Sequence, residues 1–304
     1  MNVVVVGGAG FIGSHLTERL LAEGHSVDVV DSLVSGSLAN LAESRASATA
    51  GGGELKIHTL DASAAEFDAL VAMRSPQAIY HLGVLPPGSP AELAAAGTLA
   101  SLMSVLEAAR RQGGVKVVVG LSAVSLYGDV PGKEQPIKEG QPWSPVGVRG
   151  VVSRTIAELL GVYRETHAVE FTALALANVY GPRQRAEGGV VGAFAHALRR
   201  GAAPVMHGDG RQTRDFLYID DAVDAFVRAA HRGTGLVVNV GTGVATSIRD
   251  LWGLMAGPDG CQPTQAPRRA DDVARFALAP TRARIHLAWA PWTELGVGVR
   301  GLNR

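Results

Sequence analysis

"NVVVVGGAGFIGSHL", residues 2–16, decides the fold. Four consecutive valines are β-branched and stiff, and they favour a strand. A run that is apolar on every position, without polar alternation, suits a strand covered on both faces, as in a parallel sheet. Glycines follow at once, and a helix-like stretch begins at Ile12. Gly7, Gly10 and Gly13 therefore sit on a strand–turn–helix. Glycine permits the tight turn and lets a pyrophosphate approach the backbone. The N-terminus of the helix presents unpaired N–H groups and a partial positive charge to it. The motif also assigns the backbone of Phe11 and Ile12 to this cradle. Three glycines alone are weak evidence of a dinucleotide site. The surrounding strand and helix, and Asp31 about twenty residues on at the end of the next strand, make the pattern specific.

Outward from that loop, the helical stretch at 12–22 leads to "HSVDVVD", residues 25–31, which completes a βαβ unit. The alternation continues through apolar runs at 55–61, 78–83, 115–122 and 171–180, with amphipathic helices at 99–111 and 153–166. The expected fold is α/β: a Rossmann-type doubly wound parallel sheet with a smaller C-terminal substrate-binding lobe. Residues 1–180 form the expected dinucleotide-binding domain. Residues 181–304, richer in Pro and Gly, form mainly the substrate lobe, with some segments returning to the first domain. "AESRASATAGGG", residues 42–53, reads as a surface loop because it is small and polar.

Asp31 is placed to bond the hydroxyls of an adenosine ribose. A carboxylate there repels a 2′-phosphate, so NAD(H) is favoured over NADP(H). The serines of the following "SLVSGS" leave NADP(H) open. Asp61, with Ala62 after it, either faces the adenine or caps the next helix. The formal net charge is zero over 304 residues, which offers no electrostatic footprint for nucleic acid or a membrane surface. No apolar run has the length to span a bilayer. The one cysteine, Cys261, fits a reducing cytoplasm. His167, His196 and His207 have no metal-ligand spacing, so no metal is expected.

The motifs "GGAGFIGSHL", "IYHLG" at His81, "VSLYGD" at Tyr127, "NVYGPRQ" at Asn178, "GDGRQTRDFLYIDD", "VVNVGTG" and "ADDVARF" together resemble the extended short-chain dehydrogenase/reductases, in their sugar-nucleotide epimerase/dehydratase branch. The resemblance runs almost the full length. It implies that Leu82, Gly83 and Val84 lie along the cofactor, and that Asn178, Arg214 and Arg269 hold a substrate diphosphate. For the two arginines, structural pairing with Asp215 or Asp272 is the competing reading. The resemblance also implies pairing of two copies through helices such as 99–111 and 153–166.

The departures from the family are as informative. Its catalytic tyrosine and lysine fall on Gly150 and Arg154, its polarising serine on Ala123, and an asparagine on Ala94. No tyrosine lies between Tyr127 and Tyr163 to replace the missing one. Losing a general acid/base costs about 10²–10⁴-fold, so oxidation of an ordinary sugar alcohol is not expected. Two residues are left as weak catalytic candidates. Ser122 is either a strand-end hydrogen bonder or a substrate-binding group. Arg154 either supplies charge near the cofactor or pairs with Glu158. The leading expectation is therefore an atypical NAD(P)H-dependent ketoreductase acting on an activated aromatic or polyketide-like ketone, akin to the degenerate angucyclinone ketoreductases of antibiotic pathways. A sugar-nucleotide epimerase or dehydratase with a relocated base is the first alternative. A non-catalytic NAD(P)-sensing protein is the second; a deep apolar substrate pocket would argue against it, and residues 190–198 and Trp143 are either lining for such a pocket or core packing.

Overall fold

In the computed structural model, β1 (Asn2–Val6) is the hub of the sheet. The structure describes residues 1–49, 53–83, 90–258, 260–269 and 272–303, with backbone alone at 49, 91–94 and 303. Val3, Val4 and Val5 are completely buried, as an all-apolar central strand requires. From β1 the chain runs through α1 (Phe11–Ala22), β2 (Ser26–Asp31), α2 (Ala42–Thr49), β3 (Leu55–Thr59) and α3 (Ala65–Arg74). It continues through β4 (Ala78–His81), α4 (Ala91–Gln112), β5 (Lys116–Ser122), α5 (Ala123–Tyr127), α6 (Gly147–His167) and β6 (Phe171–Leu176). After β7 (Asn178–Tyr180) come α7 (Val190–Arg199), β8 (Val205–His207), β9 (Thr213–Arg214), β10 (Phe216–Tyr218) and α8 (Ile219–Ala229). The last elements are β11 (Leu236–Val240), β12 (Thr246–Ser247), α9 (Ile248–Ala256), β13 (Thr264–Ala266), α10 (Thr281–His286) and α11 (Leu295–Arg300).

Seven strands make one sheet in the order β11-β6-β5-β4-β1-β2-β3. The pairs β1/β2, β2/β3, β1/β4 and β4/β5 are parallel. Strand order reverses beside β1, between β2 and β4. In such a sheet the crevice at the carboxyl ends of these strands is where ligands bind. The glycine loop leaves β1 at that point.

The chain divides into two interleaved units, where the sequence suggests one main boundary at residue 180. The first unit holds residues 1–121, 152–174 and 223–238. The second holds 122–151, 175–222 and 239–304. The crossings follow the strand ends. The run at 171–180, expected as one strand, breaks at Ala177, whose N–H goes to the Val240 carbonyl at 2.9 Å. The Asn178 N–H turns to the Asp215 carbonyl, and β7 pairs in parallel with β10 instead of extending the large sheet.

Asp215 organises this part of the second unit. Its buried carboxylate accepts hydrogen bonds from the N–H of Thr242, Gly243 and Leu278 and from the Thr242 hydroxyl at 2.6–3.1 Å. It is not the partner of Arg214. The stretch 190–198 lies in an apolar core with Met206, Phe216, Leu251 and Trp252, where the Phe194 and Trp252 rings meet edge-on at 5.1 Å. Core packing is thus its role, in place of pocket lining.

Residues 42–49, expected as loop, are helical. Alanine, Glu43 and Arg45 are good helix formers, and buried Leu41 and Ser44 anchor the segment beside α1. Helices α4 and α6 also begin well before the expected 99 and 153. Among the described residues no helix is long and apolar enough to cross a membrane, and no cluster of His, Cys, Asp and Glu is arranged to hold a metal.

Candidate active site

The glycine loop is tighter than any side chain allows. A Cβ on Gly13 would lie 2.1 Å from the Gly7 carbonyl oxygen. One on Gly7, whose φ is +78°, would lie 2.7 Å from the Leu82 carbonyl. No side chain caps α1 at Gly10, so the N–H groups of its first turn at Phe11, Ile12 and Gly13 are left for an anion. Asp31 is nearly buried, and its carboxylate accepts the Ala9 N–H at 2.9 Å and the Leu33 N–H at 2.8 Å. The Ala9 carbonyl in turn accepts from the Ser37 N–H and the Asn40 side chain. Asp31 thus ties the glycine loop to the loop after β2. The cradle fits a dinucleotide: the loop has no room for a Cβ at Gly7 or Gly13, the helix start is uncapped, and a carboxylate closes the second strand.

Around this cradle the other expected cofactor contacts divide. The Leu82 N–H continues the β4 ladder to the Val6 carbonyl at 2.9 Å, and Gly83 follows it. Val84 lies outside the described residues. Asp61 accepts both the N–H and the hydroxyl of Ser63, at 2.8 and 2.7 Å, so its carboxylate holds the turn that starts α3. Ala62 beside it is buried. His81 is fully buried with Nε2 2.8 Å from the Ser101 hydroxyl. That hydroxyl donates to the Thr98 carbonyl, so His81 Nε2 must be the donor to it. Burial pushes the imidazole pKa down to about 4, which keeps this histidine neutral.

In the second unit, the positions expected from the resemblance to hold the proton-handling serine and tyrosine are Ala123 and Gly150, neither of which carries a titratable side chain. Ala123 is completely buried. Gly150 lies in the first turns of α6 with its backbone against Ser125. A Cβ there would stand 2.2 Å from the Ser125 carbonyl oxygen and 3.0 Å from Pro145 Cβ. The same carbonyl accepts the Val146 N–H at 2.8 Å. Backbone therefore occupies the space a tyrosine's first carbon would need.

Two of the other phenols, Tyr127 and Tyr163, are committed elsewhere. Tyr127 is fully buried and donates to Asn239 Oδ1 at 2.9 Å, and burial pushes its pKa up to about 12. In the first unit, Tyr163 donates to Glu107 at 2.7 Å, and hydrogen bonds from Arg110 and Tyr163 hold that carboxylate down at about 2. Arg154 is half-exposed and pairs with Glu158 through Nε at 2.8 Å.

The second unit contains a cavity of about 160 Å³ lined by Val124, Ser125, Val146, Arg214, Arg269 and Asp272. Two of the four expected substrate residues, Arg214 and Arg269, are thus brought together. The guanidinium of Arg214 is held by Asp272 and donates to the carbonyls of Thr213 and Val273, each at 2.7 Å. Arg269 is exposed, with Nη2 3.3 Å from His207 Nε2. Ser122 meets the cavity through its hydroxyl contact with Ser125 at 3.2 Å. Asn178 does not line it, although its buried Oδ1 has no hydrogen-bond partner. The contact between Gly150 and Ser125 was not foreseen. A glycine in the first turns of a helix was its only local signal.

The sequence profile described as the NAD dependent epimerase/dehydratase family matches residues 3–241. The UDP-glucose 4-epimerase of Mycolicibacterium smegmatis is 38% identical over 316 aligned residues, covering 98% of this chain and 96% of that one. Among solved structures, the UDP-glucose 4-epimerase of Thermotoga maritima with UDP-glucose superposes with a TM-score of 0.88 at 29% identity, covering 99% and 96% of the two chains. The Thermus thermophilus UDP-glucose 4-epimerase in complex with NAD gives 0.86 at 28% identity, covering 99% and 97%. These relatives are sugar-nucleotide enzymes, so the expected kinship with antibiotic-pathway ketoreductases gains no support from them.

Proposed function

The chain belongs to the NAD-dependent epimerase/dehydratase family, and on that premise we propose that it uses NAD(H) to reduce the carbonyl of a small molecule, without a side-chain general base. NAD(H) supplies the hydride. Asp31 favours it over the 2′-phosphorylated cofactor, because a carboxylate held in place at the end of β2 repels a 2′-phosphate.

One observation carries the direction of the reaction: the backbone contact of Gly150 with Ser125, where the family's tyrosine would stand. Oxidising an alcohol requires a group that accepts the hydroxyl proton as hydride departs. Of the side chains assigned to the site, the Asp272 carboxylate is committed to Arg214, serine hydroxyls are poor bases, and Arg154 stays protonated and is already paired with Glu158. Reduction asks for less. An electrophilic ketone needs its developing oxyanion stabilised by hydrogen-bond donors and positive charge, and Ser125 and Arg269 offer both. A hydroxyl adjacent to the ketone on the substrate then shares its proton with the new alkoxide. The test is NADH consumption, followed by absorbance, across a panel of activated aromatic ketones. Ketone-dependent consumption supports the reading, and none from any ketone sinks it.

A second reading, a sugar-nucleotide 4-epimerase with a relocated base, is favoured by full-length kinship to UDP-glucose 4-epimerases, and the comparisons back it better than the ketone. Interconversion of UDP-glucose and its 4-epimer, with saturable UDP binding, would establish it.

A further inference from the structure

We propose that Ser125, two places beyond the alanine at the family's serine position, donates the hydrogen bond to the reacting oxygen of the substrate, with Ser122 as the positioning residue that orients it. The inference rests on the carbonyl-reduction reading above and names a group for that site.

Residues 123 and 125 lie on the single helical turn of α5, where successive side chains advance by about 100°. They therefore point in nearly opposite directions. Ala123 enters the core, completely buried, while Ser125 faces the cavity with Arg214 and Arg269. The hydroxyl of Ser122 donates to that of Ser125 at 3.2 Å. A hydroxyl has one proton and two lone pairs, so Ser125 accepts this bond and keeps its own proton to give. No other hydrogen bond to the Ser125 hydroxyl is made among the described residues. The backbone beneath it is fixed, because its carbonyl is taken by the Val146 N–H and pressed by Gly150. A donor that is oriented before the substrate arrives needs no reorganisation when charge develops, which is the condition for strong oxyanion stabilisation.

The size of the cavity agrees with this role. With a volume of about 160 Å³ and Ser125, Arg214, Arg269 and Asp272 in its lining, it is a small polar depression of the size of one functional group with its immediate surroundings. Arg269 adds an exposed positive charge at its edge. The Arg214 charge is largely matched by Asp272, so Ser125 is the neutral donor positioned to single out an oxygen. The step assigned to Ser125 is a hydrogen bond only. No bond to serine is made or broken, and its proton stays on Oγ.

The experiment compares wild type with Ser125→Ala, Ser125→Thr and Ser122→Ala in two assays. The first is NADH consumption with an activated aromatic ketone. The second, independent of turnover, is binding of 4-nitrophenolate, whose absorbance reports its ionisation. Ser125→Ala is expected to lower kcat by about 10²–10³ with the KM for NADH unchanged, the scale of losing one oxyanion donor. It should also weaken nitrophenolate binding at least about tenfold and raise the bound phenol's pKa. Ser125→Thr keeps the hydroxyl and should stay close to wild type in both. Ser122→Ala should lose kcat by about tenfold at most while leaving nitrophenolate bound.

Wild-type turnover with Ser125→Ala inside twofold of it would overturn the role of Ser125 and leave the reductase reading intact. Weakened nitrophenolate binding in Ser125→Ala without ketone turnover by wild type would keep Ser125 as the oxygen donor and remove the reductase reading. Absence of both turnover and nitrophenolate binding in wild type would overturn both.

Discussion

Replacing Gly150 by alanine tests the contact on which the chemistry depends. The added Cβ would stand 2.2 Å from the Ser125 carbonyl oxygen, 3.0 Å from its carbon and 3.0 Å from Pro145 Cβ. Two of these three atoms are backbone, so the helix and the turn must separate. Overpacking of this kind costs about 1–3 kcal/mol. Separation also stretches the bond between the Val146 N–H and the Ser125 carbonyl, now 2.8 Å, which is worth about 1 kcal/mol. Alanine returns about 1 kcal/mol through its better helix propensity. Gly150→Ala should therefore lose about 1–3 kcal/mol net. Gly161, on the same helix, has nothing within 4 Å of a built Cβ. Gly161→Ala carries the propensity gain without the clash and should gain about 0.5–1 kcal/mol. Urea denaturation of the two variants and wild type, with midpoints and slopes compared, makes the measurement. A Gly150→Ala protein as stable as Gly161→Ala would refute the contact, and with it the claim that a tyrosine has no room there. Gly150→Tyr, by the same reasoning, should destabilise the protein and leave its activity unimproved.

Gly13→Ala should reduce NADH affinity at least about tenfold by calorimetry, since its Cβ meets the Gly7 carbonyl at 2.1 Å and the loop must open; unchanged affinity would remove the glycine loop from the cofactor site. Asp272→Ala leaves the Arg214 guanidinium buried with carbonyl partners only and should cost about 3 kcal/mol in urea denaturation. The double variant Arg214→Met/Asp272→Ala should recover part of that loss. His81 is held neutral to about pH 4 in the folded chain, against 6.5 when unfolded. The unfolded chain thus binds the proton first as pH falls. Stability should drop between pH 6.5 and 4, by about 3 kcal/mol over the whole window. His81→Gln, which keeps a donor for Ser101, should show a shallower loss between pH 7 and 5; equal slopes would contradict the neutral assignment.

Legibility in the sequence followed the range of the forces. The valine run, the glycine turn and Asp31 act on near neighbours, so β1, α1 and β2 were readable together. Residues 42–49 misled because their small polar composition outweighed their helix propensity, while the burial of Leu41 and Ser44 that anchors them is tertiary. The break at Ala177 was hidden inside a continuous apolar run, since it arises from where its N–H and that of Asn178 find carbonyls, at Val240 and Asp215. For Arg214, sequence offered Asp215 or Asp272. The adjacent acid is drawn off by Thr242, Gly243 and Leu278, and the distant one makes the pair. The pressing of Gly150 on Ser125 joins the start of α6 to α5, two segments with no local pattern in common.

The departures from the family are not spread evenly over the molecule, and this bears on what kinship can say. The cradle residues Gly7, Gly10, Gly13 and Asp31 all lie in the first unit. There the constraints are steric, since nearly any Cβ closes the loop, and the pattern survives intact. Ala123, Ser125, Gly150, Arg214 and Arg269, the positions on which the proposed reading turns, lie in the second unit. An identity of 38% over nearly the whole chain shows the family, and a shared family and fold do not by themselves fix how protons are handled. A 4-epimerase must take a proton from a hydroxyl and later return one, so it needs a group that alternates between base and acid. A reductase needs only donors. On the proposed reading the second unit offers donors and no alternating group, and Ser125 is the residue at which that difference becomes measurable.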